Sequence, residues 1–127
     1  MNNDQLGWTV KVEQLNAMII AGDTLRAIQQ FYGNDVIVQE NEESPRVGKK
    51  ICLENEKLNL SRVAHVQSKL INQAIDTRKN VVFSEWKILF TNLQGITSQL
   101  TEVSVQQWRD GLIIHEKFYY QKSQPID

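Results

Sequence analysis

Cysteine is almost absent from this chain of 127 residues: Cys52 stands alone. A disulfide within the chain is therefore impossible, and a cluster of metal-bound thiolates is excluded. Charge of one sign is also lacking, since 14 Lys and Arg face 15 Asp and Glu for a formal net charge of -1. No field gathers a polyanion, so nucleic acid is not an expected partner. No apolar run approaches the roughly 18–20 residues of a membrane-spanning helix. The opening MNNDQLGWTV has neither the basic nor the apolar region of a secretory signal, so a cytoplasmic location is expected. Gly22, Gly33, Gly48, Gly95 and Gly111 are isolated turn or cap residues, and neither a phosphate loop nor a nucleophile elbow is present. His65 and His115 lie far apart, with no metal-ligand spacing between them. No metal and no cofactor is expected.

What is present is an ordinary globular balance, with 41% hydrophobic and 23% charged residues, enough for a single domain over 1–127 with its own core. Residues 5–21 carry Leu6, Val10, Leu15, Met18 and Ile19 at helical spacing. A second helix is expected over 24–32, with Leu25, Ile28 and Phe31/Tyr32 inward, stopped by Gly33-Asn34-Asp35. A short strand follows at 36–40, then a polar loop, and a helix over 49–60 with Cys52 as a half-buried thiol among Val47, Ile51 and Leu58. Four long alternating stretches then follow, 63–77, 81–91, 97–108 and 112–121, the last two joined by Asp110-Gly111. Helices first and strands afterwards predict an α+β fold with an antiparallel meander. The tail 122–127 is expected to fray.

Several strings resemble one family. They are Ala21-Gly22-Asp23, Phe31-Tyr32-Gly33-Asn34-Asp35-Val36, Pro45-Arg46-Val47-Gly48, Trp108-Arg109-Asp110-Gly111-Leu112-Ile113 and Glu116-Lys117-Phe118-Tyr119-Tyr120. In order and spacing the chain is similar to SnoaL-like members of the nuclear transport factor 2-like superfamily. The resemblance implies a cystatin-like, cone-shaped half-barrel, a curved antiparallel sheet wrapped around three N-terminal helices. It also implies a pocket on the concave face and a dimer on the convex one. Such a fold hosts many activities and does not choose among them. Carried over from ketosteroid isomerase, a family member, the general base falls on Gln39, the oxyanion tyrosine on Gln14 and the second acid on Ser104. Glutamine cannot take up a proton at neutral pH, so isomerisation by that arrangement is not expected.

Strand alternation on this template assigns faces. The ligand pocket is expected to hold Gln39, Asn41, Phe83, Glu85, Glu102, Ser104, Trp108, Glu116, Phe118 and Tyr120, with Ile37, Gln106 and Ile114 also inward. Trp86, Ile88, Val103, Val105, Ile113 and Tyr119 are expected on the convex face, as a homodimer interface. A polar lining with aromatic walls suits a small, partly polar organic ligand. Glu116 is the leading acid–base candidate, because the Asp-Gly turn anchors its register. The alternatives are an isomerase, cyclase or dehydratase using a pocket glutamate, and a protein-interaction domain using the convex face.

Overall fold

The computed structural model describes residues 3–126, with side chains placed from Gly7 onward except at Gln124. Leu6, expected on the inner face of the first helix, lies outside the described side chains, as does Asp127 at the end of the tail. The first helix, α1 (Asn3–Ile20), buries Val12 and Leu15 but leaves Val10 in solvent, a correction to its expected inner face. It ends where Gly22, at φ +81°, turns the chain. The Gly22 and Asp23 amides then bond back to the Ile19 and Met18 carbonyls, closing the last turn. The next helix, α2 (Thr24–Phe31), buries Ala27 and Phe31. The third, α3 (Lys49–Ser61), buries Cys52, whereas Val47, Ile51 and Leu58, read as its apolar spacing, are exposed.

The strands are β1 (Tyr32–Glu40), β2 (Arg46–Val47), β3 (Val63–Asp76), β4 (Val81–Asn92), β5 (Thr97–Arg109), β6 (Leu112–Tyr120) and β7 (Gln124–Pro125). They form one curved, unclosed sheet in the order β2-β1-β6-β5-β4-β3, with β7 pairing β5. The α+β expectation holds, with three hairpins in succession. Two features differ from it. Gly33-Asn34-Asp35 is an irregular, extended part of β1 rather than a turn, because the bulge between Tyr32 and Ile37 absorbs it. Gly33 suits this stretch, since a Cβ there would sit 3.4 Å from the Ile113 carbonyl oxygen. The tail is not frayed at 124–126, because β7 pairs with Ser98 and Gln99 and the Ile126 amide bonds to the Thr97 carbonyl.

Asp110 and Gly111 both have positive φ and join Arg109 to Leu112 in a two-residue hairpin. Three residues further, Gln107 pairs with His115 but Trp108 pairs with Ile113, so Ile114 is an extra residue. This bulge turns Ile113 into the core, where it is fully buried. The expected inward Ile114 and outward Ile113 are thus exchanged. The core joins Trp108, Phe31, Val12, Val36 and Val82 under the helices. Trp108 packs at 6.1 Å edge-on to Phe31 and 5.9 Å from Trp8.

Candidate functional site

Between the helices and the concave sheet lies a cavity of about 500 Å³. Cross-strand pairing decides what lines it, since partners directly opposite share a face. Glu102, Ser104 and Gln106 of β5 point in, and they stand opposite Trp86, Ser84 and Val82 of β4 and Tyr120, Phe118 and Glu116 of β6. Trp86 is therefore 5% exposed and lines the cavity with Ile88, while Phe83 is 45% exposed on the outer side. The expected faces of Phe83 and Glu85 and of Trp86 and Ile88 are corrected together: the β4 register lies one residue from that assumed. The same holds on β1, where Val36, Val38 and Glu40 face inward. Ile37 is exposed, and the Gln39 amide bonds outside the cavity to the Glu43 carbonyl. Asn41 is not a lining residue. At φ 50° it clasps β6, giving its amide to the Phe118 carbonyl and accepting the Tyr120 amide on Oδ1.

The polar end of the cavity is built on three glutamates, Glu116, Glu40 and Glu102. Glu116, 4% exposed, accepts the Tyr32 hydroxyl on Oε1 and Gln106 Nε2 on Oε2 at 2.8 Å. The Trp108 indole in turn donates to Gln106 Oε1 at 3.0 Å. An indole nitrogen only donates, so it fixes which end of the Gln106 amide meets Glu116. Burial pushes the Glu116 carboxyl up, while Tyr32, Gln106, Ser104 and Arg46 pull it part of the way back. Tyr32 is raised by burial and then by Glu116.

Glu40 pairs with Arg46 Nη1 at 2.7 Å and accepts the Tyr120 hydroxyl at 2.9 Å. The two-residue strand β2 delivers Arg46, holding it opposite Val38. Cys52 also lines this end, but burial pushes its thiol up more than Arg46 lowers it, which disfavours the thiolate. Glu102 has no hydrogen bond or ion pair among the described residues. Burial, with Glu116 and Glu40 nearby, raises its carboxyl to about 7. No three His, Cys, Asp or Glu among the described residues gather as metal ligands would.

Of the residues expected in the pocket, Glu102, Ser104, Glu116 and Phe118 line the cavity. Trp108 lies in the core instead, and Tyr120 shares the inner face opposite Glu102 but is not a lining residue, its hydroxyl being given to Glu40. The sequence reading missed Tyr32, Glu40, Arg46 and Trp86 as lining residues. For Tyr32 a signal existed: a tyrosine expected on a buried face needs a partner for its hydroxyl.

No family model matches the sequence, and no curated protein matches it. Solved structures do share the fold. A nuclear transport factor 2-like protein of Burkholderia pseudomallei superposes at a TM-score of 0.78, 12% identical over 95% of this chain and 92% of its own. A SnoaL-like protein of Mesorhizobium loti described as a polyketide cyclase gives 0.74, at 17% identity over 88% and 97%. An LEH-like epoxide hydrolase of Mycobacterium tuberculosis gives 0.70, at 19% identity over 87% and 80%. The chain thus has the nuclear transport factor 2-like, SnoaL-like cone. No helix among the described residues is long and apolar enough to cross a membrane.

Proposed function

We propose that the chain binds a small organic molecule, apolar over most of its surface and polar at one end, inside the cone. The observation that carries this reading is the cavity itself. Ile19, Ile28, Ile88, Phe90 and Phe118 make its walls apolar, and Glu102 offers a carboxyl with no protein partner. A volume of about 500 Å³ suits a drug-sized ligand. Nile red, a neutral dye that brightens in apolar surroundings, tests this. One dye per chain is expected to brighten in the wild type, and Ile28→Trp, which narrows the cavity from α2, is expected to suppress the signal. Equal brightening in both proteins would place the dye elsewhere and overturn the reading.

A second reading is favoured by the same carboxyl. A glutamate titrating at about 7 beside a cavity is poised for acid–base work. The polyketide cyclase and epoxide hydrolase descriptions of two structures with this fold suit such chemistry. This reading expects turnover that is lost in Glu102→Gln with the fold retained. Turnover that survives the substitution would remove Glu102 from the chemistry.

We also infer a homodimer through the outer sheet face. Phe83 stands opposite Val105, and Val103 opposite Tyr119, so these four run as an apolar diagonal across the outer face, flanked by Glu85 beside Val103 and Lys117 beside Val105. Phe83 is 45%, Tyr119 46% and Val103 37% exposed. An exposed apolar diagonal of this kind favours burial against a second copy.

A further inference from the structure

We infer that the occupant of the cone is an amine, an apolar body carrying one ammonium group that docks between Glu102 and Ser104. The inference rests on the pocket reading above and names the chemistry of its ligand. The cavity lining carries four glutamates, Glu40, Glu56, Glu102 and Glu116, and two arginines, Arg46 and Arg62. Of these, Glu40 and Glu116 act on Glu102, and Arg46 acts on Glu116. Arg46 is already committed to Glu40 at 2.7 Å. Glu116 is satisfied by neutral donors, Tyr32 and Gln106. Glu102 remains without a donor, with Glu40 and Glu116 as its electrostatic neighbours. Glu102, half-buried beside two other carboxyls, favours a positive group next to it in the cavity.

Ser104 points to the same conclusion by a different route. It is 1% exposed, lines the cavity next to Glu102 on the inner face of β5, and its hydroxyl has no hydrogen bond of normal geometry. A hydroxyl beside the Glu116 carboxylate helps it as a donor, and a hydroxyl that donates keeps its oxygen as an acceptor. At the Glu40 side Arg46 Nε is a buried donor with no hydrogen-bond partner among the described residues, whereas at the Glu102 side the site offers acceptors, the Glu102 carboxylate and the Ser104 oxygen. An ammonium supplies up to three donors and no acceptor, and so matches both. An anionic ligand meets Glu102 with like charge, and a neutral hydroxyl brings it no positive group. The remaining walls, Trp86, Ile88, Phe90, Ile28 and Phe118, take an apolar body.

Three probes of one shape separate these cases: 1-adamantylamine, 1-adamantanol and 1-adamantanecarboxylate, titrated calorimetrically at pH 8. The amine is expected to bind about tenfold or more tighter than the alcohol, and the carboxylate weakest. Glu102→Gln is expected to erase the gap between amine and alcohol while the alcohol still binds, with thermal unfolding confirming the fold. Ser104→Ala, which removes the acceptor with little change in volume, is expected to narrow the gap by a few-fold. Alcohol or carboxylate binding as tightly as the amine overturns the ammonium proposal and leaves the pocket reading standing. A gap that persists in Glu102→Gln also overturns it. Failure of all three probes to bind overturns both.

Discussion

Two glutamates share the inner face of this sheet and have opposite surroundings. Around Glu116 both carboxylate oxygens meet donors, and the chain Trp108–Gln106–Glu116–Tyr32 ties β5 and β6 to the junction of α2 and β1. At Glu102, on the opposite strand, no donor arrives from the protein. Burial raises both carboxyls, but only at Glu116 do hydrogen bonds counter it. Burial alone therefore does not mark a working group. A fully matched carboxylate is a structural tie, and the unmatched one is available to a ligand.

The largest effect is expected from breaking the matched side. Gln106→Leu leaves Glu116 Oε2 and the Trp108 indole without partners, two buried polar groups at once. The expected loss is about 2–5 kcal/mol in chemical denaturation. A loss below about 1 kcal/mol would mean that the tie is not what holds this corner.

On the unmatched side the sign reverses. A carboxyl raised from 4.5 to about 7 in the folded state keeps its proton there after the unfolded chain has lost it. Stability therefore falls as pH rises from about 4.5 to about 7 and is level on either side. The full span corresponds to about 3 kcal/mol. Glu102→Gln is expected to be more stable than the wild type above pH 7, with that slope flattened. Equal slopes in both proteins would place the titration on another residue.

Tyr32→Phe sharpens the contrast by removing one donor from Glu116. The Glu116 carboxyl should rise further, since the Tyr32 hydrogen bond lowers it. The cost, about 1–2 kcal/mol, should be larger at pH 8 than at pH 4. A cost independent of pH would mean that Tyr32 acts through packing alone. The smallest effect on the folded chain is expected away from both carboxylates. Val105→Arg on the outer face should change the stability of a single chain by about 0.5 kcal/mol or less. Light scattering should nevertheless report half the mass of the wild type, because a dimer would bury the charge unpaired. An unchanged dimer mass would put the interface elsewhere.

On β5, Ser104 and Glu102 follow by alternation from Trp108, next to the Asp110-Gly111 turn. On β6 the same count breaks at the extra residue Ile114, so Glu116 and Phe118 were legible through the family resemblance, which takes Ile114 rather than Ile113 as inward. The count did not reach β4, which joins β5 through the longer connection after Asn92 and allows a shift of one residue. That shift exchanged Phe83 and Glu85 with Trp86 and Ile88. The parallel pairing of β1 with β6 has no hairpin to fix it, so Gln39 was assigned the place that Glu40 occupies. The bulge at Ile114 and the two-residue strand that carries Arg46 are too short to leave a period in the sequence.

The pairing of β1 with β6 also governs when this protein can become a protein. Tyr32 and Val38 emerge early in synthesis, yet their partners Ile113 and Glu116 lie near the other end of the chain. The first third must wait, one edge of β1 paired only locally with β2 and the other open, while β3 to β6 assemble as local hairpins. Contacts so distant along the chain slow folding and lengthen the time an unpaired edge is exposed. A nascent chain stalled before β6 is thus the form most open to capture by chaperones or by its own kind.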